Sequence, residues 1–320
     1  MNVIRDIQDS RGVDEPTVVA IGVFDGVHIG HQAVLKQTVA RAQALGCKSC
    51  VFTFDRHPAQ VFAPNKAPYY LSSLEERVRL IGEYGGGVDV IAIARFDHDF
   101  SSLSPEQFIE KILAKRLHCQ EVLVGEDFRF GAKKAGDVTT LQEFGPKYGF
   151  ETRILDSVEL EGDRASSTQI RSLLADGHLN EAVAMLGHTF TVTGRVVEGK
   201  KLGRTIGYPT ANIRPVEPWH QVPSSGIYAC LAHTENGGAY RAAVSIGSNP
   251  TTDTDSTTKI EAYLMDGFEG DLYGQLLTIE FADRLRDEMK FESLDALVSQ
   301  IARDVEAVDR LISKPYLSSS

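Results

Sequence analysis

The chain has 320 residues and a formal net charge of −11, and its sequence pI is about 5.3. This length predicts two domains, and the acidic balance argues against a broad nucleic-acid-binding surface. The sequence shows no charged-then-apolar leader and no apolar run long enough to cross a bilayer. Four cysteines in a chain of this length indicate a reducing cytoplasm rather than a disulfide framework. We therefore expect a cytoplasmic protein that binds neither nucleic acid nor membranes.

The first strongly patterned segment joins a buried strand to a helix. Residues 17–21 are a continuous, mostly β-branched apolar run, which predicts a buried strand. The glycine-rich turn 22–32 follows, and apolar residues then recur at helical spacing. Such a turn lies at the carboxyl edge of an open α/β sheet, where ligands bind. Its glycines, Gly22, Gly26 and Gly30, allow a tight bend and close approach of a ligand, and the free amides of the new helix favour a phosphate.

Two histidines, His28 and His31, lie beside these amides. Their spacing of three residues suits the stabilisation of negative charge on a reacting phosphate. A pair of metal ligands on one helix face is more usually separated by four residues and has further ligands nearby. The alternative is a turn with two exposed histidines of no functional consequence. The glycine-rich strand-to-helix context favours the phosphate site.

The rest of the first half alternates strands with helices. Strands are predicted at residues 49–54, 88–94, 121–125 and 151–155. Capping boxes at Ser72, Ser73 and Ser104 predict helix starts between them, and Gly145-Pro146 must interrupt the helix before the last strand. This alternation predicts a mostly parallel, doubly wound sheet of the α/β class.

A second candidate anion site is the segment Ser166, Ser167, Thr168, Gln169, Ile170 and Arg171. A serine N-cap is expected to open a helix there that runs to Asp176. Hydroxyl groups, free amides and an arginine one turn into the helix suit an anion. A plain capped helix explains the segment equally well when it is taken alone. Together with the histidine turn of the same sheet, the segment favours a triphosphate held from two sides.

The pattern changes near Gly187, where short strands separated by polar turns replace the helical periods. Strands are predicted at residues 189–197, 226–233, 240–246, 259–264 and 275–281. A closing helix carries apolar residues from Leu294 to Leu311 on one face. Many short strands with short connections predict a small antiparallel barrel. We therefore place one domain at residues 1–186 and a second at residues 187–320.

The first loop predicted for this barrel spans residues 194–212. It contains glycines at 194, 199, 203 and 207 and basic residues at 200, 201 and 204. This composition suits the wrapping of nucleotide phosphates by backbone amides, although no Walker motif is present. Thr210 and Asn212 are oxygen ligands two residues apart, and they could hold a magnesium ion. A merely flexible glycine loop would not explain the rigid end formed by Pro209-Thr210-Ala211-Asn212.

The sequence resembles the prokaryotic bifunctional riboflavin kinase/FMN adenylyltransferase family, also called FAD synthetases. In the first domain the matching residues are 22–31 (GVFDGVHIGH), 125–131 (GEDFRFG) and 166–171 (SSTQIR). In the second domain they are 207–212 (GYPTAN), 226–229 (GIYA), 245–251 (SIGSNPT), 271–274 (DLYG) and 285–288 (LRDE). The motifs occur in order across both domains. Small departures occur at Arg56 and Ala165, neither of which carries a chemically reactive role.

The resemblance implies a fold and two sequential reactions. The first domain would be a Rossmann-like nucleotidyltransferase, and the second would be a riboflavin kinase-like barrel with a closing helix. The barrel would transfer the γ-phosphoryl group of ATP to riboflavin, and the first domain would then join FMN to the AMP part of ATP and release pyrophosphate. Such chemistry relies on positioning and electrostatics, without a covalent intermediate.

The resemblance also implies roles for individual residues of the first domain. His28 and His31 would stabilise the charge on the phosphates during adenylyl transfer. The residues expected to bind ATP there are Gly22, Phe24, Asp25, Gly26, Ser166, Ser167, Thr168 and Arg171. Asp127 and Phe128 would contact the flavin.

In the barrel, Glu261 matches the catalytic glutamate of the family and would take the proton of the riboflavin hydroxyl as general base. The residues expected to bind ATP are Gly203, Arg204, Gly207, Thr210, Asn212 and Tyr273. Thr210 and Asn212 would hold Mg²⁺ with the ATP. Arg286 and Glu288 would seat the flavin.

Two alternatives belong to other classes of protein. The sequence His28-Ile29-Gly30-His31 is also the signature of class I aminoacyl-tRNA synthetases, but those enzymes need a KMSKS-like loop and a tRNA-binding surface that this acidic chain lacks. A flavin-binding or storage protein without enzymatic activity would need neither Glu261 near Thr210 and Asn212 nor two separate phosphate sites. An assay of the products formed from labelled ATP and riboflavin separates the three.

Overall fold

The computed structural model describes residues 1–62, 69–155, 159–160, 163–199, 202–248, 258–268 and 270–313. Contacts within the chain divide it into two compact units. Unit 1 comprises Met1–Pro68 and Ser73–Ser167, and unit 2 comprises Tyr69–Ser72 and Thr168–Ser320. None of the helices in the described ranges combines the length and the apolar character that a membrane crossing requires.

Unit 1 is built on a six-stranded sheet. Its strands are β1 (Asn2–Arg5), β2 (Thr17–Ile21), β3 (Lys48–Phe54), β4 (Val90–Ala94), β5 (Cys119–Gly125) and β6 (Glu151–Leu155), and a short ribbon pairs β7 (Glu159–Leu160) with β8 (Asp163–Arg164). Its helices are α1 (Ile29–Leu45), α2 (Pro58–Phe62), α3 (Leu74–Tyr84), α4 (His98–Ser101), α5 (Pro105–Phe108) and α6 (Val138–Tyr148), and a π-helical segment Ile109–Ala114 follows α5. The predicted strands are confirmed. The edge strand β1 was not predicted.

The strand order is β1-β4-β3-β2-β5-β6, and all neighbouring strands of this sheet are parallel. From β2 the chain builds outward through β3 and β4, and it then returns to place β5 on the other side of β2. The carboxyl ends of β2 and β5 therefore flank a topological switch point, where open α/β sheets bind ligands. The histidine turn follows β2 directly.

Apolar residues cover both faces of this sheet. On one face, Ala20 and Val51 pack with Leu35 of α1 and Leu80 of α3. On the opposite face, strand residues such as Val19 belong to a second buried cluster with the segment that contains α5. Because helices bury both faces, the sheet is doubly wound, as predicted.

The expected interruption at Gly145-Pro146 is wrong, because α6 continues through both residues to Tyr148. Pro146 lies in the last turn of this helix, so its missing N–H removes only one intrahelical hydrogen bond near an end. The carbonyl of Gly145 is satisfied by the backbone N–H of Phe150 at 3.0 Å. The helix ends instead at Gly149, which has a φ of 81°.

Unit 2 contains a closed six-stranded barrel of order β10-β13-β12-β11-β14-β9, in which all neighbours are antiparallel. Its strands are β9 (Phe190–Val197), β10 (Ala211–Pro215), β11 (Gly226–Thr234), β12 (Ala239–Ser248), β13 (Thr258–Leu264) and β14 (Leu276–Arg286). Its helices are α7 (Ser167–Asp176), whose first residue belongs to unit 1, α8 (Leu179–Leu186), α9 (Leu202–Thr205) and α10 (Leu294–Leu311). The predicted barrel is confirmed. The domain boundary at residues 186/187 remains a prediction.

The predicted first loop of the barrel, residues 194–212, is shorter than expected. Gly194 to Val197 complete β9, and Ala211 and Asn212 begin β10, a strand that the sequence pattern did not predict. Lys200 and Lys201, two basic residues of this loop, lie outside the described residues, as do residues 249–251 of the motif at 245–251.

The closing helix α10 packs on the outside of the barrel. Its buried residue Val308 belongs to one cluster with Ala229 and Met265, whereas Leu294 and Leu311 at its two ends are exposed. Two ion pairs attach the helix to the strands. Arg286 of β14 pairs with Asp304 at 2.6 Å, and Arg241 of β12 pairs with Asp309 at 2.5 Å. The helix therefore buries only the middle of its apolar face and relies on charged contacts as well.

Candidate functional site

The histidine turn after β2 has an unusual backbone. Phe24 and Val27 have φ values of 53° and 39°, and Gly26 between them has a φ of 75°. The first two are left-handed conformations that bulky residues avoid, so surrounding contacts must hold them. Asp25, Gly26 and Val27 form a buried 3₁₀ turn. The chain thus makes a tight turn between β2 and the start of α1.

His28 is the N-cap residue of α1. Its Nδ1 atom accepts a hydrogen bond from the backbone N–H of His31 at 3.4 Å. Because Nδ1 is the acceptor, the neutral His28 ring carries its proton on Nε2. The two imidazole rings stack with centroids 3.6 Å apart, and a Cβ atom on Gly30 would lie 3.1 Å from the His28 ring. Gly30 therefore leaves room for the stacked pair.

His31 is half-buried, and its Nδ1 atom has no hydrogen-bond partner within the described ranges. Burial lowers the pKa of His31 well below 6.5, and repulsion from a protonated His28 and from Arg77 lowers it further. The imidazole is therefore neutral at pH 7 and can donate one N–H without carrying a charge. The His28–His31 pair thus supplies ring N–H groups at the positive end of a helix dipole.

The structure brings the serine-rich segment to this turn. The hydroxyl of Ser167 donates to the backbone carbonyl of Asp25 at 3.0 Å. Ser166 precedes it, just before α7. Thr168 and Arg171 are grouped with unit 2, where the guanidinium of Arg171 donates to the hydroxyl of Thr168 at 3.4 Å. A contact of Thr168 or Arg171 with ATP at the histidine turn remains a prediction.

Asp127 and Phe128 follow β5, the strand beside β2 at the switch point. Asp127 is exposed, whereas Phe128 is half-buried and stacks on Phe130 with centroids 5.5 Å apart. Sequence reasoning missed a mostly buried cluster of aromatic rings near the ends of β3 and β4, which Phe130 joins through its contact with Phe108. Its members are Phe52, Phe54, Phe96, Phe100 and Phe108.

In the barrel, strand register places the candidate general base beside a candidate ATP ligand. Asn212 of β10 lies directly opposite Glu261 of β13, and Ser245 of β12 lies opposite Glu261 on its other side. Directly opposed residues share one face of a sheet. The next residues, Ile213 and Ile260, are also paired and are buried. The polar row Asn212–Glu261–Ser245 therefore lies on the outer face of the barrel.

The carboxylate of Glu261 pairs with the ammonium of Lys259 at 2.7 Å, and both side chains are about one-third exposed, at 30% and 35%. Lys259 is two residues away on the same strand and shares this face. The base candidate is thus held by a cation and is still open to solvent and substrate.

The candidate nucleotide loop of the barrel lines one side of a half-open cavity of about 120 Å³. Arg204, Thr210 and Tyr273 are among its lining residues. Two glycines allow the loop to adopt this conformation. A Cβ atom on Gly203 would lie 2.2 Å from the carbonyl oxygen of Tyr208, and one on Gly199 would lie 2.1 Å from the amide of Asn212. Gly207 has a φ of 85°, which also favours glycine.

The donor set at this site suits magnesium. Thr210, Asn212 and Glu261 offer hydroxyl, amide and carboxylate oxygens, which are the atoms that Mg²⁺ prefers. No group of three or more His, Cys, Asp or Glu side chains in the described parts of the chain could hold a metal ion. A magnesium ion here would therefore be held by few protein oxygens and would keep phosphate oxygens and waters as its other ligands.

The two flavin candidates of the barrel lie in different surroundings. Arg286 forms a bidentate pair with Asp304 of α10, at 2.9 and 2.6 Å. Glu288 is exposed and reaches over Gly247, where a Cβ atom would lie 2.3 Å from its Oε1 atom. Gly247 is opposite Lys259 in the β12–β13 register, so Glu288 lies close to the polar row. The guanidinium of Arg286 is bound by the closing helix, and its contact with flavin remains a prediction.

Two family models match the chain, one in each half. The family described as FAD synthetase matches residues 10–169, and the family described as riboflavin kinase matches residues 186–312. The bifunctional riboflavin kinase/FMN adenylyltransferase of Pseudomonas fluorescens is 38% identical, over 97% of this chain and 98% of its own. The protein of the same description from Escherichia coli K12 is 39% identical, over 95% and 96% of the two chains. The chain belongs to the bifunctional riboflavin kinase/FMN adenylyltransferase family.

A solved structure of similar fold covers nearly all of this family member. It is described as a macrolide-efflux protein from Streptococcus pneumoniae, has a TM-score of 0.83, and is 32% identical over 97% of this chain and 99% of its own. The similarity shows that the whole two-part fold recurs in that protein. The activity of this riboflavin kinase/FMN adenylyltransferase is assigned from the two family models and the full-length relatives, all of which carry flavin-enzyme descriptions.

Proposed function

We propose that the histidine turn of unit 1 carries out adenylyl transfer to FMN and that the polar row Asn212–Glu261–Ser245 of the barrel carries out phosphoryl transfer to riboflavin. The chain is a bifunctional riboflavin kinase and FMN adenylyltransferase. The observation that most strongly supports this assignment of the two reactions is the presence of two separate candidate phosphate-binding sites. One is the pair His28–His31 after β2, and the other is the pair Asn212–Glu261 on β10 and β13.

In the adenylyl transfer, a phosphate oxygen of FMN attacks the α-phosphorus of ATP. The bond from the α-phosphorus to the oxygen shared with the β-phosphorus breaks, and pyrophosphate leaves with that oxygen. His28 and His31 donate ring N–H groups to phosphate oxygens whose charge shifts during the step. Ser167 stabilises the turn through the Asp25 carbonyl, and Gly26 allows ATP to approach the backbone.

In the phosphoryl transfer, the Glu261 carboxylate accepts the proton of the ribityl hydroxyl as that oxygen attacks the γ-phosphorus of ATP, and ADP leaves. Thr210 and Asn212 would hold a magnesium ion. When bound, Mg²⁺ supplies positive charge that offsets the phosphate oxygens of ATP. Lys259 forms a partly exposed ion pair with Glu261, and the loop that contains Arg204 covers the phosphates.

The remaining proposals concern partners and location. Riboflavin and ATP are the substrates of the barrel site, FMN and ATP are those of the histidine turn, and neither reaction calls for nucleic acid or membrane. We place the protein in the cytoplasm because its cysteines are free and largely buried. Burial raises the pKa of the Cys50 thiol to about 12, which keeps it protonated and unreactive.

A product assay on the full chain tests the proposed function. Incubation with riboflavin, ATP and Mg²⁺ should yield FMN and then FAD, and incubation with FMN should yield FAD and one pyrophosphate for each FAD formed. Chromatography of the flavins measures both. Pyrophosphate exchange that depends on an added amino acid would support an aminoacyl-tRNA synthetase instead. Bound flavin without turnover would support a binding protein.

A fragment that begins at Leu186 should fold alone and phosphorylate riboflavin without making FAD. The riboflavin kinase family model begins at residue 186, and the closed barrel and α10 follow it. A second fragment that begins at Ala165 and retains α7 and α8 serves as the control, because these helices are grouped with the barrel. Circular dichroism and flavin chromatography check the result. If both fragments fold but neither makes FMN, the barrel is not a self-contained kinase.

A further inference from the structure

Arg77 is one of the largest fully buried side chains of the protein, with 1% of its surface exposed. It lies in the first turns of α3, whose N-cap is Ser73. Removing a guanidinium from water is costly unless its N–H groups are hydrogen-bonded and its charge is compensated by its surroundings. Arg77 packs against the histidine turn, where the backbone carbonyl of Val23 accepts a hydrogen bond from it.

The guanidinium holds the start of the turn through one nitrogen. Nη1 of Arg77 donates to the backbone carbonyl of Val23 at 2.8 Å, to that of Phe54 at 3.0 Å, and to the hydroxyl of Thr53 at 3.2 Å. The hydroxyl of Thr53 also donates to the Val23 carbonyl at 3.0 Å. Val23 directly precedes Phe24, where the backbone enters its left-handed conformation. Arg77 thus fixes the carbonyl at the point where the chain leaves the sheet.

Charged and titratable groups of several elements face this turn. His28 and His31 lie at the start of α1, Asp25 lies in the turn itself, and Glu76 and Arg77 lie on α3. Arg77 is the permanent positive charge whose field lowers the pKa of His31. Burial raises the pKa of Glu76 to about 7, and the charge of Asp25 contributes to that shift. The charge of Arg79, on the outer side of α3, opposes this rise, and near pH 7 the carboxylate of Glu76 is partly protonated.

We propose that Arg77 is a positioning residue for adenylyl transfer, which fixes the Val23 carbonyl under the histidine turn and places a buried positive charge behind the His28–His31 pair. It does not contact the substrate. It acts through the two histidines: it holds the turn that carries them, and its charge adds to the burial that keeps the His31 ring neutral. This inference rests on the proposed role of the histidine turn.

The test compares Arg77→Met and Arg77→Lys with Arg79→Met, a control on the same helix whose exposed guanidinium pairs with Glu83. The rate of FAD formation from FMN is measured between pH 5.5 and 9, and riboflavin phosphorylation serves as the internal reference. We expect Arg77→Met to lower the kcat of FAD formation at least about tenfold and to leave its kinase activity unchanged. We expect Arg79→Met to form FAD at the wild-type rate. Arg77→Lys keeps the charge and should recover part of the rate.

The pH dependence of the rate distinguishes this role from a merely structural one, which would leave the pH dependence unchanged. Removal of a positive charge raises the pKa of His31, so the ring becomes protonated at a higher pH. The loss of activity toward acid should therefore begin at higher pH in Arg77→Met than in the wild type or in Arg77→Lys. An NMR titration of the His31 ring measures the same shift without reference to activity.

Each outcome decides the inference. Wild-type kcat and an unmoved His31 titration in folded Arg77→Met would overturn it. If Arg77→Met does not fold, the variants Arg77→Lys and Thr53→Val test the inference in its place. A wild-type kcat of FAD formation in both of them would also overturn the inference. A wild-type protein that makes no FAD would overturn the proposed function instead, and the His31 titration would still test the electrostatic part of the inference.

Discussion

We expect the His28→Ala variant to form FAD from FMN at least about a hundredfold more slowly than the wild type, the scale seen when an enzyme loses one charge-stabilising donor. His28 presents its Nε2 proton at the start of α1, because its Nδ1 atom is used by the His31 N–H. Riboflavin phosphorylation should be unchanged, because Asn212 and Glu261 belong to a different unit. Flavin chromatography with FMN or riboflavin as the starting material measures both rates.

A matched variant separates the catalytic role of His28 from its role as helix cap. Loss of an N-cap costs about 1 kcal/mol, so His28→Ala should still fold. His28→Asn restores a good capping side chain but has no imidazole. We expect His28→Asn to recover thermal stability and not the rate of FAD formation. Recovery of the rate in His28→Asn, or equal loss of both activities in a folded His28→Ala, would contradict the assignment.

The second large effect is expected for Glu261→Gln. This nearly isosteric change removes the general base, and we expect riboflavin phosphorylation to fall by about 10²–10⁴-fold. The cross-strand position beside Asn212 remains occupied, so the barrel should fold. FMN supplied from outside should still become FAD at the wild-type rate. The initial rates of ADP release with riboflavin and of FAD formation with FMN measure the two activities.

Lys259 provides the control for this variant. In the wild type its ammonium pairs with Glu261, and in Glu261→Gln it loses that partner. Partly exposed ion pairs contribute little to stability, so Lys259→Met should fold and should retain most of its kinase activity. A Glu261→Gln protein that phosphorylates riboflavin normally would show that Glu261 has another role. Equal loss in both variants would point to the ion pair rather than to the base.

Much of the fold could be predicted because buried parallel strands are continuous apolar runs. β2 and β4 are examples, with all five residues of each buried. β1 and β10 lack this signal. β1 is a short strand with exposed ends at the sheet edge, and β10 carries Asn212, Arg214 and Pro215 and fully buries only Ile213. Strand pairing, rather than local sequence, makes these two segments extended.

The candidate site was predictable in its motifs and not in its geometry. The residues His28, Ser167 and Glu261 stand in segments with recognisable spacing or resemblance. Arg77 does not, because a charged residue in the helical segment Glu75-Glu76-Arg77-Val78-Arg79 usually faces solvent. Its burial depends on the packing of α3 against a turn more than fifty residues earlier in the chain. The opposition of Asn212 and Glu261 likewise depends on barrel register, which no local pattern encodes.

The closure of the barrel has a consequence for the growing chain on the ribosome. The first barrel strand, β9, pairs with the last one, β14, and α10 then supplies Asp304 to Arg286 and Asp309 to Arg241. The strands of the first sheet are complete once Leu155 has been made, whereas the barrel must wait for nearly the whole chain. During synthesis the FAD-forming half therefore matures first. We expect a chain truncated before Asp304 to lose the helix contacts of the barrel, and with them the formation of FMN, before it loses the formation of FAD.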